Sequence, residues 1–175
     1  MEETLQRIQN LNRQVTYILA VSGGVDSMVM ADMFEKAGHQ FVVAHVNYHL
    51  RDEASDLDEK LVHDWCTQHQ VPCYIHQAPS PGNESIQTWA REIRYTFFES
   101  LHAAGKGQLI VTAHQQEDVI ETTLFRIFRG SGLKGLQGIP ARTEKLIRPL
   151  LHSTRAAILA YAQTNNVPFR HDASN

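Results

Sequence analysis

The feature that most constrains the fold is a pair of glycines between an apolar stretch and a helical pattern. Residues 16–21 have the apolar character of a buried strand, residues 28–37 have the spacing of a helix, and the hexapeptide SGGVDS at 22–27 joins them. Paired glycines permit positive φ and let main-chain N–H groups approach a ligand, and the start of the helix adds unpaired amides and the positive end of its dipole. This order of strand, turn and helix predicts a binding site for a phosphate-sized anion.

Two widespread phosphate-binding loops do not match this turn. The Walker loop needs four residues between its glycines and then Gly-Lys-Ser/Thr, and the dinucleotide loop needs Gly-x-Gly-x-x-Gly. The hexapeptide instead resembles the SGGxDS pyrophosphate-binding loop of the N-type ATP pyrophosphatases, which cleave ATP to AMP and pyrophosphate while adenylating an oxygen. The alternative is an ordinary turn in which Asp26 or Ser27 caps the helix, but a cap explains neither the glycine pair nor the second hydroxyl.

Length and composition limit the organisation of the chain. With 175 residues, 42% of them hydrophobic, one core is well supplied and a second domain would be cramped, so we predict a single domain over residues 1–175. A net charge of -3 and a pI near 6.3 argue against a strongly basic nucleic-acid surface.

Cys66 and Cys73, the only cysteines, fit a reducing compartment. Because no secretory signal or long apolar stretch is present, we expect a cytoplasmic protein without a membrane partner.

Strand and helix patterns alternate along the chain. The predicted strands are 16–21, 40–46, 71–76, 108–113 and 145–150, with a short edge piece at 167–170. The predicted helices are 28–37, 54–69, 86–103, 118–128 and one from a Ser153 cap to about Asn165, with Ser85 capping the third. Such alternation implies right-handed crossovers and an α/β fold, an open, mainly parallel, twisted sheet of about five strands with helices on both faces.

Helical periodicity also predicts core side chains on two of these helices. They are Ile86, Trp89, Ile93, Phe97 and Leu101 on the helix at 86–103, and Ile120, Leu124, Ile127 and Phe128 on the helix at 118–128. Glu121 lies seven residues before Phe128 and is therefore nearly in line with a predicted core residue. A carboxylate that loses water there needs compensation from Mg²⁺, a substrate ammonium group or an arginine, and the alternative is a structural ion pair with Arg91, Arg94 or Arg126.

Polar residues concentrate where three predicted strands end. The segments are 22–27 after the first strand, 45–51 at the end of the second, and 114–121 after the fourth. Because ligands of open α/β sheets bind beyond the carboxyl ends of the strands, the three segments predict one shared site.

Five stretches in sequence order resemble the tRNA(Ile)-lysidine synthases. Residues 114–122 and 129–136 are similar to the family's AHHxDDxxET and RGSGxxGLxG motifs, residues 44–51 to its HxxHxLR region, residues 90–98 to ARxxRYxFF, and residues 148–151 to a further motif. The chain departs from the family at three positions: Tyr48 and Gln115 replace usual histidines, and Glu117 replaces an aspartate. The family continues beyond the motif matched by residues 172–175, so the resemblance implies a catalytic domain without the family's C-terminal tRNA-contacting region.

The resemblance implies a Rossmann-like fold of the adenine nucleotide α-hydrolase type and an ATP-dependent ligase. The reaction would join L-lysine to C2 of cytidine 34 in the CAU anticodon of tRNA(Ile), through an adenylated cytidine, with release of AMP and pyrophosphate. ATP and Mg²⁺ are the implied cofactors, and whether the chain forms a homodimer is left open.

The resemblance also implies roles for individual residues. Nucleotide binding falls to Ser22, Gly23, Gly24, Val25, Asp26, Ser27 and His45. Asp26 and Asp118 suit Mg²⁺, Glu121 would bind or deprotonate lysine, and His114 would contact the target base or the α-phosphate. Either Arg91 or Arg94 would stabilise the pentavalent phosphorus, and Arg148 and Arg155 would reach RNA backbone.

Two other functions compete with the ligase. A tRNA 2-thiolation enzyme with the same loop generally uses cysteines or an iron-sulfur cluster, for which Cys66 and Cys73 are poorly spaced. A nucleotide-binding module without catalysis would need the loop but has no use for His114, Asp118 and Glu121 around it.

Overall fold

The computed structural model describes residues 1–82, 85–129 and 138–170. Strands and helices alternate within these ranges. The helices are α1 (Glu2–Gln9), α2 (Val25–Lys36), α3 (Glu53–Gln68), α4 (Ile86–Ala103), α5 (Gln116–Phe128) and α6 (Arg155–Thr164). The strands are β1 (Tyr17–Ala20), β2 (Phe41–Asn47), β3 (Cys73–Gln77), β4 (Leu109–Val111) and β5 (Leu146–Ile147).

The five strands form one parallel sheet in the order β3-β2-β1-β4-β5, which confirms the predicted α/β fold. From β1 the chain adds β2 and β3 on one side, then crosses back to add β4 and β5 on the other. The direction of winding therefore changes between β1 and β4, and ligands of open α/β sheets bind at this kind of switch point.

Each face of the sheet has its own core. Leu19 belongs to a cluster with apolar side chains of α1, α2, α3 and α6, whereas the next residue back, Ile18, packs with Phe98 and Leu101 of α4. The alternation follows from the two-residue period of a strand and places helices on both faces, as predicted.

The predicted core of α5 is wrong. Its apolar side chains are largely exposed: Ile120 is 51% exposed, Leu124 48%, Ile127 49% and Phe128 86%. Ile86, predicted to be buried at the start of α4, is 53% exposed, whereas Trp89 and Leu101 are buried as expected. Helical spacing shows which side chains share a face, and it does not show whether another element covers that face.

Helix caps agree with the sequence at α4 and differ at α6. The Ser85 side chain accepts a hydrogen bond from the Thr88 amide, as predicted. At α6 the cap is Thr154 and not Ser153; Ser153 is buried and its hydroxyl pairs with that of Thr4 at 3.0 Å. The predicted edge piece at 167–170 contributes a single parallel bridge, from Arg170 to Gly24. No helix in the described ranges has the length and apolar composition needed to cross a membrane.

Candidate active site

The two glycines of the loop have different backbone conformations. Gly23 has a φ of +94°, which an L side chain rarely adopts, whereas Gly24 has an ordinary φ of −74° and forms the N-cap of α2. The positive φ that the glycine pair permits is therefore used at Gly23 alone of the two. No side chain caps α2, so the alternative in which Asp26 or Ser27 serves as its N-cap is excluded.

Two serine hydroxyls hold the loop in shape. Ser27 is buried, donates a hydrogen bond to the Gly24 carbonyl at 2.9 Å and accepts one from the Ser22 amide at 3.1 Å. The Ser22 hydroxyl lies 3.2 Å from that of Ser27, and the Ser22 residue is exposed. Ser27 therefore supports the loop from inside, while Ser22 is placed to contact a ligand.

Residues distant in sequence clamp the outer side of the loop. The Arg170 amide donates to the Gly23 carbonyl at 3.0 Å, and the Arg170 Nε donates to Asp58 Oδ1 at 2.8 Å. Arg51 donates to the other oxygen of Asp58, also at 2.8 Å. A Cβ on Gly23 would lie 3.3 Å from both the Cβ and the main-chain oxygen of Asp58. Asp58 and Arg170 were not singled out from the sequence, because no local motif links residues 22–27, 58 and 170.

The loop opens into a cavity of about 610 Å³ at the carboxyl ends of β1, β2 and β4. Its size suits a nucleotide. Its lining includes the ends of β1 and β4, the two strands between which the direction of winding changes. Polar side chains lining it are Ser22, Asp26, Ser27, Tyr48, Arg94, Thr112, His114, Asp118, Arg155 and Arg170. The three polar segments predicted to share one site do meet there.

Asp26 is a half-buried carboxylate in the first turn of α2. Its Oδ1 atom is shielded from solvent and has no hydrogen-bond partner in the described part of the chain. Burial raises the pKa of Asp26; Arg155 opposes this rise, whereas the negative charges of Asp118 and Glu117 add to it. The two predicted metal-binding carboxylates, Asp26 and Asp118, therefore act on each other across one cavity.

Asp118 is held in place by the start of α5. Its Oδ2 accepts the Gln115 amide at 2.7 Å, while the Gln115 side chain accepts the Glu117 amide at 3.1 Å, so the pair forms a capping box. A carboxylate with one oxygen in a hydrogen bond still has lone pairs available to bind a metal ion. Among the described residues no group of three or more His, Cys, Asp or Glu is placed to hold a metal ion. A metal held here by Asp26 and Asp118 would complete its shell with substrate oxygens and water, as Mg²⁺ does.

His114 presents a neutral imidazole to the cavity. Burial is the main cause of its lowered pKa; the charges of Arg148, Arg94 and Arg91 lower that pKa further, and Asp118 opposes the shift. The Thr112 hydroxyl lies 2.9 Å from Nδ1 and fixes the ring. Nε2 is thus left for a ligand.

The structure separates Arg94 from Arg91. Arg94 lines the cavity, and its Nε is buried without a hydrogen-bond partner among the described residues. Arg91, one turn earlier on α4, lies with its guanidinium 4.9 Å from the centre of the Tyr95 ring and does not line this cavity. Arg155, expected at RNA backbone, lies instead in the cavity at the first turn of α6.

His45 and Glu121 are not brought to the cavity wall. His45 is buried and donates from Nδ1 to the Val21 carbonyl at 2.8 Å, so it supports the strand end from which the loop begins; burial lowers its pKa. Glu121 is exposed on α5, and the expectation that it is desolvated beside Phe128 is wrong. Neither residue lines the cavity.

Comparisons with known proteins show what this chain is similar to. The family model described as "PP-loop domain" matches residues 1–175. A curated tRNA(Ile)-lysidine synthase from Chlorobaculum tepidum is 37% identical over 96% of this chain and 55% of its own length, and one from Bacteroides thetaiotaomicron is 37% identical over 90% of this chain and 38% of its own length. The chain thus spans about half, or less, of these relatives.

A solved structure also matches the fold. The U34-tRNA thiolase NcsA from Methanococcus maripaludis, solved with its [4Fe-4S] cluster, superposes with a TM-score of 0.79 at 16% identity over 97% of this chain and 65% of that one. At this identity the likeness concerns the fold alone.

Proposed function

The chain belongs to the PP-loop domain family, and we propose that it is an ATP-using catalytic domain that ligates L-lysine to C2 of cytidine 34 in a tRNA(Ile) with a CAU anticodon. The observation that carries the proposal is the convergence of the glycine loop, Asp118 and His114 on one cavity. The tRNA(Ile)-lysidine synthases similar to this chain at 37% identity supply the substrate class.

The proposed reaction has two steps. First, the C2 oxygen of cytidine bonds to the α-phosphorus of ATP, and the bond from that phosphorus to pyrophosphate breaks. Then the lysine ε-amine attacks C2 and loses a proton, and AMP departs with the former C2 oxygen. Adenylation is useful because AMP is a far better leaving group than an oxide.

The loop residues would hold the pyrophosphate portion of ATP. The first residues of α2 and the exposed Ser22 line the cavity, and the helix dipole favours an anion there. Asp26 and Asp118 fit Mg²⁺ because the first has an unsatisfied buried oxygen and the second is fixed by the α5 cap. The metal would neutralise charge on the departing pyrophosphate.

The opposite wall would act on the phosphoryl group and the base. Arg94 and Arg155 place positive charge in the cavity, where it stabilises negative charge that builds up on phosphorus oxygens. His114, neutral and fixed by Thr112, would hydrogen-bond to the target base through Nε2. We assign no chemical step to Arg91, Glu121 or His45, which do not line the cavity.

Thiolation has no supporting observation in this chain. An iron-sulfur cluster is held by cysteine thiolates. Cys66 is buried in α3 and Cys73 starts β3, and neither lines the cavity.

ATP–pyrophosphate exchange tests the proposal. With transcript tRNA(Ile) bearing CAU, the wild-type chain should exchange labelled pyrophosphate into ATP, and addition of labelled lysine should transfer label to the RNA. Asp118→Asn keeps an oxygen for the Gln115 amide but loses the charge, so exchange should slow by about 100-fold, in line with the loss of one electrostatic contact to a transition state.

Asp64→Asn is the matched control, because Asp64 is a surface residue paired with Lys60 on α3. It should exchange at the wild-type rate. Exchange by Asp118→Asn as fast as wild type would refute the metal assignment. Exchange that ignores RNA, or RNA that never gains lysine, would refute the ligase.

A further inference from the structure

A second cavity lies beside the first, on the α4 face of the sheet. It has a volume of about 750 Å³ and is bounded by α4 on one side and by residues 143–148 on the other. Its inner part includes Ile110 and Leu146, two buried residues of the sheet, and the Tyr95 ring. An apolar and aromatic surface of this kind suits a planar ring.

Three cationic side chains line this second cavity. Arg91 and Lys145 are exposed there, and Arg148 is half-buried. Arg148 is fixed, because one of its terminal nitrogens donates to the Pro140 carbonyl at 2.7 Å and its amide donates to the Ala141 carbonyl at 2.8 Å. Its Nε is buried and has no hydrogen-bond partner within the described ranges. A fixed guanidinium with an unused donor is a site for an anion.

Two carboxylates also lie in this lining, Glu92 and Glu99. They leave the three cations in excess by one charge and add hydrogen-bond acceptors. A nucleobase offers amino and imino donors to such acceptors, whereas a bare phosphate offers none. The combination of fixed cations, acceptors and an aromatic surface therefore matches a nucleotide better than an isolated inorganic anion.

Side chains of α4 line both cavities. Arg94 lines the first and Arg91 the second, and three residues along a helix correspond to a rise of only about 4.5 Å. Arg91 and Arg148 also act on His114 of the first cavity, since their charges lower its pKa. A ligand that extends from one cavity to the other would meet positive charge in both, which suits a nucleic-acid strand with one phosphate per nucleotide.

We propose that the second cavity binds a nucleotide adjacent to the reacting cytidine in single-stranded RNA. Its phosphate lies among Arg91, Lys145 and Arg148, and its base lies on the surface formed by Ile110, Leu146 and Tyr95. This inference rests on the proposed function, because the target base must occupy the first cavity. It assigns Arg91 to RNA binding and Arg94 to the phosphoryl group.

The test compares two double variants that remove the same charge. Arg91→Gln with Lys145→Gln changes the second cavity, and Arg7→Gln with Lys60→Gln removes exposed cations from α1 and α3, on the other face of the sheet. Binding of a fluorescent anticodon-arm hairpin with a CAU loop is followed by anisotropy across a range of salt concentrations. ATP affinity is measured by calorimetry on the same proteins.

The cavity variant should bind the hairpin about tenfold more weakly, and its plot of log affinity against log salt should be shallower by about 0.7, the value for one lost phosphate contact in a single strand. Its ATP affinity should equal that of the wild type, and the control should match the wild type in both measurements. Equal weakening by both double variants would mean non-specific attraction and would overturn the inference.

Other outcomes separate this inference from the proposed function. If the cavity variant binds the hairpin like the wild type while Asp118→Asn slows exchange by about 100-fold, the second site is wrong and the ligase stands. If no RNA supports exchange but the cavity variant still loses hairpin binding, the ligase is wrong and the RNA site stands. A poly-glutamate peptide that binds the wild type with higher affinity than the hairpin, and loses binding in the cavity variant, would overturn the RNA assignment.

Discussion

Alanine substitutions at the two glycines of the loop should affect different properties, one the free energy of unfolding and the other the affinity for ATP. Gly23 has positive φ and no room on its Asp58 side, but it does not line the cavity. Gly24 has an ordinary φ and lines the cavity, and a Cβ there would meet only the Ser22 hydroxyl, at 3.5 Å. We therefore expect Gly23→Ala to destabilise the fold and Gly24→Ala to weaken ATP binding.

The cost at Gly23 has two parts. A left-handed conformation costs an L residue about 1–2 kcal/mol, and alanine lowers the entropy of the unfolded chain, which returns about 0.4–1 kcal/mol. The 3.3 Å approach to the main-chain oxygen of Asp58 adds strain, because backbone cannot move aside as a side-chain tip can. We expect a net loss of about 2 kcal/mol, or a urea midpoint lower by about 1 M at a typical slope of about 2 kcal/mol/M.

Gly24→Ala should keep the free energy of unfolding within about 1 kcal/mol of the wild type, since a weaker N-cap is offset by the unfolded-state gain. Its ATP affinity should fall by at least about tenfold, or about 1.4 kcal/mol, because the Cβ stands where a phosphate meets the main-chain amides. Urea unfolding and calorimetric ATP titration give the two quantities.

Gly105→Ala is the control for backbone strain alone. Gly105 has a φ of +70° and no neighbour within 4 Å of an added Cβ, so alanine there should cost only the conformational part and leave ATP binding unchanged. The reasoning is refuted if Gly23→Ala is as stable as the wild type, or if Gly24→Ala binds ATP with wild-type affinity.

Two further substitutions test the charges around the loop. In Mg²⁺-free buffer, Asp26→Asn should stabilise the fold by about 1 kcal/mol near pH 7, because a buried oxygen no longer carries unpaired charge. In buffer that contains Mg²⁺, the same variant should lose ATP–pyrophosphate exchange. Burial raises the folded-state pKa of Asp26 above 3.8. The contribution of the protonated carboxyl group to stability is therefore present below pH 3.8 and is lost as pH rises through the folded-state pKa. Urea midpoints of wild type and variant that change in parallel with pH would contradict this. Asp58→Asn should cost about 1–2 kcal/mol, because two guanidinium groups lose a charged acceptor at 2.8 Å. Asp58→Asn should also weaken ATP binding, because the segment around Gly23 loses its support. Unchanged thermal unfolding together with unchanged ATP affinity would show that Asp58 does not hold the loop in place.

Local sequence patterns were sufficient for most of the fold. Periods of two and of 3.6 residues report contacts between neighbours in the chain, so the strands, α4 with its Ser85 cap and the parallel sheet follow from them. The strand, glycine turn and helix of the loop were also predictable, because six consecutive residues contain the turn, its hydroxyls and the start of the helix.

The same patterns failed where burial depends on a partner. The apolar stripe of α5 looks like a core face, yet Leu124 and Phe128 are exposed. Glu121 was expected to be desolvated for the same reason and is exposed as well. A helical period defines a face, and only the packing of other elements decides whether water reaches it.

The sequence by itself therefore determined the sheet, the loop and the kinds of side chain at the strand ends. Only the tertiary structure decided that Arg94, and not Arg91, lines the cavity at the carboxyl ends of β1, β2 and β4, that Arg155 also lines it, and that Asp58 and Arg170 clamp Gly23. The physical reason is the range of the interactions. Dihedral preferences and strand or helix periods act over a few residues, whereas a turn of α4 or a contact between residues 23, 58 and 170 is placed by packing across the whole domain.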